Sequence, residues 1–528
     1  MNFSQRQLYP SARSTNFGNM AVAASEPLAA NAGLEVMANG GNAVDAAIAA
    51  AAVLTVTEPT SNGLGSDAFA LVWDGQKVHG LNASGRAPAA WSLARFDGQS
   101  AIPKRGWDTV TVPGAVSSWV ALSERFGRQS LGTLLAPAAR YAREGYGVGP
   151  VTANAWQRQS AALSLGLGFE DVFLKAGQPP AAGDRFRLEG AADALDLIAE
   201  SNGWAFYHGA IAEEIVAASG AAGGAHTMAD FAAHRADWVE PINIDACGLT
   251  IHEIPPNGQG IAALIALGIL ERLDLGDEPD SVRAIHLQIE AVKLALADVY
   301  AHVGDAATMR LSPADLLDPA YLDARAALVD ETKAGAPETG KPMGGGTVIL
   351  TTADADGMMV SFIQSNYDGF GSGCVTPRFQ VSLQNRGAAF SLDPASPNCV
   401  GPGKRPFHTI IPGIATRGED AIMAFGVMGG PIQAQAHAQL VTRIGRFQQP
   451  VQTAISAPRF RVLEGREVAV ETHLPAATLD GLRALGHLCV TDAPNIAFGF
   501  GGGQAIVRHG DLYAAGSDPR KDGVSAVR

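Results

Sequence analysis

Cysteine is scarce in this sequence of 528 residues, and so is charge. The four cysteines lie far apart and form no CxxC pair, so neither a disulfide framework nor a cysteine-based zinc site is expected. They are Cys247, Cys374, Cys399 and Cys489. Charged residues make up 17% of the chain and hydrophobic residues 47%. This proportion supplies enough apolar surface for a packed core and excludes a disordered chain.

Basic segments and long apolar runs are also missing. The net charge is −14 at pH 7, which argues against a nucleic-acid partner or an anionic membrane surface. The longest notable apolar run, residues 46–57, is too short to cross a bilayer. The first residues contain no apolar segment of the kind found in secretory signals. We therefore expect a soluble, cytoplasmic protein without membrane contact.

Three familiar motifs are absent or stand in the wrong context. Residues 63–68 match the G-x-G-x-x-A pattern of dinucleotide sites, but no convincing strand precedes them. No G-x-S-x-G elbow of a serine hydrolase is present. His252 and Glu253 are followed by prolines, whereas the zinc-binding HExxH motif needs a helix. We expect neither a cofactor nor a metal ion.

Glycine, in contrast, is abundant, with 61 residues in several clusters. Such clusters mark places where the backbone adopts a positive φ or approaches another group closely. One cluster, residues 344–346, directly precedes Thr347 at the start of a predicted strand. Another, Gly429 and Gly430, separates a predicted strand from a predicted helix.

The pattern of elements predicts a helix-rich first part and a strand-rich last third. Residues 25–57 predict two helices, the second with Asn42 and Asp45 spaced for a capping box. Apolar spacing near 3.6 makes residues 113–336 mostly helical. Residues 330–346, rich in glycine, proline and lysine, predict an exposed loop. Residues 347–365 then predict a hairpin around an Asp-Gly turn, and residues 377–385 a further strand.

Three features have the composition needed for amide chemistry. A threonine becomes a strong nucleophile when the chain is cut before it, because its own α-amine then serves as the base, and Thr347 suits this role. The N–H groups of Gly429 and Gly430 suit an oxyanion hole. Arg86 and Arg386 lie in glycine-containing polar segments and suit a carboxylate anchor. Each feature also has a structural interpretation: a linker, a tight turn and surface arginines.

Many segments of the chain, in order, resemble the gamma-glutamyltransferase (gamma-glutamyltranspeptidase) family. They include ASEPLAANAGLEVMANGGNAVDAAIAAAAVLTVTEP, PPNGQGIAALIALGILE, GPGKRPFHTIIP, VMGGPIQAQA and AGSDPRKDG. The resemblance implies an α/β protein with the four-layer αββα fold of the N-terminal nucleophile hydrolases. It also implies self-cleavage between Gly346 and Thr347 into a large subunit, residues 1–346, and a small subunit, residues 347–528. The two remain one interlocked heterodimer, and further association is left open.

The resemblance also assigns roles to residues of this sequence. Thr347 matches the nucleophile, and Thr351 a small hydroxyl residue further along the same strand face. Ser365 falls where the family has a threonine bonded to the nucleophile's amine. Gly429 and Gly430 match the oxyanion hole. Arg86 falls near the arginine that holds the substrate α-carboxylate, with different local spacing.

Several substrate-binding positions differ from the family pattern. His408 and Thr409 replace paired serines, and the family's asparagine on the return strand aligns with Tyr367, beside Asn366. Arg386 stands where the family has an acidic or amide residue.

Ala389 stands where the family has an aspartate that holds the ammonium group of glutamate. A cation at Arg386 repels such an ammonium and suits a second carboxylate instead.

We therefore expect a self-cleaving amide hydrolase or acyltransferase that acts on small γ-glutamyl or related carboxylate-bearing amides. An amidohydrolase or acylase for oxamate or glutaryl amides is the alternative within the divergent branch of the family. An unprocessed, non-catalytic binding protein is the alternative from another class.

Overall fold

The computed structural model describes residue 9 and residues 13–337, 346–491 and 499–528. Of the loop predicted over residues 330–346, residues 338–345 therefore lie outside the described residues, Gly344 and Gly345 among them. Gly346 is described and already belongs to a buried strand.

Within these ranges the strands are β1 (Asn16–Gly18), β2 (Ala21–Ala24), β3 (Asp67–Trp73), β4 (Val78–Asn82), β5 (Tyr146–Gly147), β6 (Arg185–Phe186), β7 (Asp237–Val239), β8 (Ile242–Ala246), β9 (Leu249–Glu253), β10 (Gly346–Ala353), β11 (Met359–Tyr367), β12 (Gly413–Arg417), β13 (Asp420–Met428), β14 (Phe460–Val462), β15 (Glu467–Val470), β16 (Leu488–Thr491), β17 (Gly502–His509), β18 (Leu512–Ser517) and β19 (Val524–Val527).

The α-helices are α1 (Pro27–Ala38), α2 (Ala43–Thr57), α3 (Ala115–Phe126), α4 (Leu131–Glu144), α5 (Pro150–Ser160), α6 (Phe169–Phe173), α7 (Glu189–Glu200), α8 (Trp204–Tyr207), α9 (Ala210–Ala221), α10 (Met228–Ala233), α11 (Gly260–Leu270), α12 (Val282–His302), α13 (Pro313–Leu316), α14 (Pro319–Ala326), α15 (Ile432–Val441), α16 (Val451–Ser456) and α17 (Ala476–Ala484). A π-helical turn, Thr442–Arg446, extends α15.

Two antiparallel seven-stranded sheets form the centre of the molecule. Their strand orders are β19-β2-β10-β11-β3-β4-β7 and β1-β18-β17-β13-β12-β9-β8. Strands β10 and β11 pack against β13 of the second sheet. Helices α1 and α2 cover the outer face of the first sheet, and α11, α15 and α16 cover the second. The predicted αββα architecture is confirmed.

Local sequence signals explain much of this arrangement. The two helices predicted within residues 25–57 are α1 and α2, and α2 begins with the predicted capping box between Asn42 and Asp45. The hairpin predicted over residues 347–365 is β10 and β11, joined by a turn in which Gly357 has φ +96°. This hairpin occupies the middle of the first sheet.

The strand predicted over residues 377–385 is wrong. Only isolated bridges, such as Val375 with Ser382, occur there, and Gln380 has a left-handed φ of +52°. The segment folds as an irregular loop beside the first sheet. Two strands in the region predicted to be mostly helical, β8 and β9, form one edge of the second sheet.

Candidate active site

The hydroxyl group of Thr347 lies near the start of β10 and is almost fully buried. Its Oγ1 lies 3.1 Å from Ser365 Oγ on β11. Ser365 Oγ donates a 2.5 Å hydrogen bond to the carbonyl oxygen of Gly346. Because a serine hydroxyl has a single proton, Thr347 must be the donor in the bond between the two hydroxyls. Two successive hydrogen bonds therefore join the threonine hydroxyl to the peptide carbonyl that precedes it.

A local irregularity between the two strands produces this contact. Their register shifts around Thr347, so that Ser365 and Asn366 of β11 both face this single residue. Such bulges redirect side chains and are common beside active sites. The Asn366 side chain accepts a 2.8 Å hydrogen bond from Ser66 Oγ. Tyr367, the last residue of β11, has a left-handed φ of +74°.

Arg386 is a fully buried cation beside the two hydroxyls. Its guanidinium donates to Ser365 Oγ at 3.3 Å and to Thr409 Oγ1 at 2.9 Å. The guanidinium carbon lies 4.1 Å from the ring centroid of Tyr367. Burial lowers the pKa of Arg386 to about 10, so the group stays charged at neutral pH. Both side-chain hydrogen bonds go to hydroxyls, and its Nε has no partner among the described residues.

Asp67, the first residue of β3, supplies a buried acidic group near this cation. Its Oδ1 accepts a 2.9 Å bond from Gly85 N, and its Oδ2 lies 3.2 Å from His408 Nε2. His408 Nδ1 accepts a bond from Ile410 N, so Nε2 carries the ring proton and donates to Asp67. Burial raises the pKa of Asp67 to about 7, against the lowering effect of Arg386, and burial lowers the pKa of His408.

The turn at Gly429 and Gly430 adjoins the threonine. Both residues have positive φ, +130° and +70°. The Gly430 carbonyl accepts bonds from Gln433 N at 3.1 Å and Gln259 Nε2 at 3.0 Å, which fix the turn. Gln433 Nε2 in turn lies 3.4 Å from Thr347 Oγ1. Among the described residues, no hydrogen-bond acceptor faces the N–H groups of the two glycines.

Two residues that the sequence singled out lie apart from this group. Arg86 points toward solvent: its side chain is 42% exposed, and it pairs with Asp237 at 3.4 Å. Thr351 is buried, and its hydroxyl has no partner among the described residues. Four residues of extended strand separate it from Thr347 by roughly 13 Å. In the structure, Arg386, Thr409 and Tyr367 lie beside the hydroxyl pair of Thr347 and Ser365. His408 is instead bonded to Asp67.

Sequence reasoning missed Asp67, Gln259 and Gln433. Asp67 lies inside residues 63–68, the stretch that matches the dinucleotide pattern. The two glutamines each follow a glycine-containing turn at the start of a helix, which is the available sequence signal. The side-chain amide of Gln259 donates to the Thr409 and Gly430 carbonyls, and that of Gln433 donates to Thr347 Oγ1.

Among the described residues, His286, Glu290 and His487 form a cluster with metal-ligand composition. The Glu290 carboxylate is already engaged on both oxygens, by Lys293 Nζ at 2.8 Å and Gly335 N at 3.0 Å. The ammonium group supplies the positive charge that a metal would otherwise bring. The residues therefore fit an ion-pair network better than a metal centre.

The chain is similar over nearly its whole length to several known proteins. A sequence profile described as gamma-glutamyltranspeptidase matches residues 29–528. A glutathione hydrolase-like proenzyme from Bacillus subtilis is 36% identical over 510 residues, which cover 94% of this chain and 96% of the relative. An oxamate amidohydrolase proenzyme from Klebsiella pneumoniae is 37% identical over 516 residues, with the same two coverages. The crystal structure of a cephalosporin acylase from Bacillus halodurans superposes with a TM-score of 0.94 at 44% identity, covering 100% of this chain and 99% of that one.

The chain belongs to the gamma-glutamyltranspeptidase family. It is therefore an amide hydrolase or acyltransferase of that family and not the non-catalytic binding protein considered above. No helix within the described residues has the length and apolar content required to span a bilayer.

Proposed function

We propose that the chain cuts itself between Gly346 and Thr347 and then uses Thr347 as an N-terminal nucleophile. The products are a large subunit, residues 1–346, and a small subunit, residues 347–528. The hydrogen-bond chain from the Thr347 hydroxyl through Ser365 to the Gly346 carbonyl oxygen carries this proposal. It joins the attacking group and the bond to be cut within one buried network.

Self-cleavage follows from the direction of these bonds. Thr347 Oγ1 attacks the Gly346 carbonyl carbon while its proton passes to Ser365. The Ser365 proton passes to the carbonyl oxygen, which gives a neutral tetrahedral intermediate. Collapse of this intermediate breaks the C–N bond, returns a proton to the nitrogen and leaves an ester on Thr347. Water hydrolyses that ester and frees the α-amine of Thr347.

Turnover then repeats the chemistry on an external amide. The α-amine accepts the hydroxyl proton as Oγ1 attacks, and the N–H groups of Gly429 and Gly430 bind the oxygen that gains negative charge. The amine departs with a proton, and water or an acceptor amine releases the acyl group from Thr347. The N–H groups of the glycine turn, which have no acceptor among the described residues, support this assignment.

Arg386 is the better supported of the two candidate carboxylate anchors. It is buried, charged and without a bonded anion among the described residues, whereas Arg86 is exposed and already paired. Arg386 Nη2 lies 3.3 Å from Ser365 Oγ, which is 3.1 Å from Thr347 Oγ1. The guanidinium nitrogen and the nucleophile can therefore be at most 6.4 Å apart.

This separation favours short substrates. Attack occurs from about 3 Å, roughly perpendicular to the acyl plane, and a guanidinium binds a carboxylate end-on at about 2.8 Å. With standard bond lengths, an oxalyl group needs about 6 Å between the two protein atoms, and an extended glutaryl group about 9 Å. Half-amides of the shortest dicarboxylic acids fit within the limit, and oxamate is the simplest of them.

A γ-glutamyl amide is the second candidate, favoured by Asp67. This carboxyl group is the buried acid that acts on Arg386, and an amino-acid substrate requires an anion near its ammonium group. Burial raises the pKa of Asp67 to about 7, which leaves it only partly ionised at neutral pH.

The four free cysteines suit a reducing compartment, and we infer a cytoplasmic location.

Processing and substrate preference test the proposal together. Thr347→Ala should leave an uncut, inactive chain, and Thr347→Ser should retain partial processing. Thr352→Val, on the same strand but bonded to the Ala43 carbonyl, should be processed normally. In the wild-type enzyme, the p-nitroanilide half-amide of oxalic acid should exceed the glutaric and γ-glutamyl compounds in kcat/KM. Full processing of Thr347→Ala would show that the nucleophile is misassigned.

A further inference from the structure

Gln433 has a fixed orientation toward the reacting oxygen. It is the second residue of α15 and is fully buried. Its Oε1 accepts a 3.1 Å hydrogen bond from Ile411 N. Since a backbone N–H can only donate, the amide cannot be flipped, and its NH₂ group must face Thr347 Oγ1 at 3.4 Å. The backbone N–H of Gln433 also bonds the Gly430 carbonyl, which anchors the residue to the glycine turn.

This orientation restricts what the threonine hydroxyl can do. Gln433 occupies an acceptor position on Oγ1, so the hydroxyl proton is directed away from α15 and toward Ser365. The amide carries no titratable proton, so it stabilises negative charge on Oγ1 without competing for the proton. Gln433 therefore acts on the oxygen itself, whereas the two glycines act on the substrate carbonyl.

We propose that Gln433 is a catalytic residue that mainly assists the breakdown of the acyl-enzyme. This proposal rests on Thr347 being the nucleophile. In deacylation, the α-amine takes a proton from water as the water oxygen adds to the ester carbonyl. The C–Oγ1 bond then breaks, the electron pair stays on Oγ1, and Oγ1 takes that proton back from the α-ammonium group. A hydrogen bond to Oγ1 stabilises this departing oxygen. In acylation the same bond helps deprotonation but weakens the nucleophile, so its two effects oppose each other.

The test is pre-steady-state kinetics with the oxalyl p-nitroanilide. Gln433→Met removes the donor, and Gln433→Glu keeps the acceptor for Ile411 with nearly the same shape. Removing a single donor to a developing oxyanion slows catalysis by as much as about 100- to 1000-fold, and at 3.4 Å we expect roughly a tenfold to hundredfold loss in steady-state kcat. In both Gln433 variants, the burst should approach one molecule of p-nitroaniline per active site. Mass spectrometry should find the acyl group on the small fragment.

Gln439 provides the matched control. It is a buried glutamine on the same helix, but its amide bonds the backbone of Phe460. Gln439→Met and Gln439→Glu should leave the ratio of burst to steady-state rate unchanged. Loss of the burst in both Gln433 variants, or a kcat within twofold of wild type, would overturn the role in deacylation. Absence of any acyl group on Thr347 in the wild-type enzyme would instead overturn the proposed function.

Discussion

Replacing Arg386 by methionine should convert a selective enzyme into one indifferent to a substrate carboxylate. The guanidinium is fully buried and bonded only through hydroxyls among the described residues, so its charge is available to a ligand. A substrate carboxylate bound by the planar guanidinium of Arg386 accepts two charge-assisted hydrogen bonds, each worth about 1.5 kcal/mol or more. Arg386→Met removes both of them. A total of about 3 kcal/mol corresponds to roughly a 150-fold fall in kcat/KM. The neutral methyl ester of the same half-amide has no charge to lose.

The assay compares kcat/KM for the acid and for its methyl ester on fully processed protein. Arg86→Met is the control, because the Arg86 side chain is 42% exposed and bound to Asp237; it should change the acid-to-ester ratio less than threefold. Arg386→Lys keeps a charge but loses the planar fork, so it should give an intermediate ratio. An unchanged ratio in Arg386→Met, or a collapse of the ratio in Arg86→Met, would refute the assignment of the anchor.

Two further predictions concern groups around this cation and the glycine turn. Below its pKa of about 7, Asp67 is neutral, and Arg386 can bind the substrate carboxylate. Above that pH, the Asp67 carboxylate competes with the substrate for Arg386. Thus kcat/KM for the acid should fall above pH 7, and Asp67→Asn should remove that fall. A fall that persists in Asp67→Asn would exclude Asp67 as its cause. Gly429→Ala places a Cβ 2.8 Å from Ile432 Cγ2 at φ +130° and should lower kcat at least about 100-fold. Gly418→Ala, at an open hairpin turn with φ +60°, is the control, and equal activity in both variants would contradict the oxyanion hole.

The parts of the fold that local sequence signals determine were predictable. The capping box of α2 depends on two side chains three residues apart, Asn42 and Asp45, and both of its hydrogen bonds form as expected. The Asp-Gly turn likewise requires a positive φ that glycine tolerates at Gly357. The segment 377–385 has strand-like composition, but a strand also needs a continuous partner edge, and this segment forms only isolated bridges among the described residues. That information is not local.

The residues of the candidate site also divide into those that a sequence pattern identifies and those that only tertiary contacts identify. Thr347, Ser365 and the glycine pair were identifiable because their residue types and spacing follow the family pattern. The choice between Arg86 and Arg386 required burial and hydrogen-bond partners, since both lie in similar glycine-containing segments. Asp67 and Gln433 reach the site only through the pairing of distant strands and the packing of α15. Composition gives no indication of either contact.

The central claim is that Thr347 becomes the N-terminus of a small subunit, and sequencing the N-termini of the purified protein tests it most directly. We predict two fragments of about 36 and 19 kDa, in proportion to 346 and 182 of the 528 residues. The smaller one should begin Thr-Val-Ile-Leu-Thr. An active enzyme that remains a single 54.6 kDa chain, or a small fragment that begins at another residue, would contradict the account.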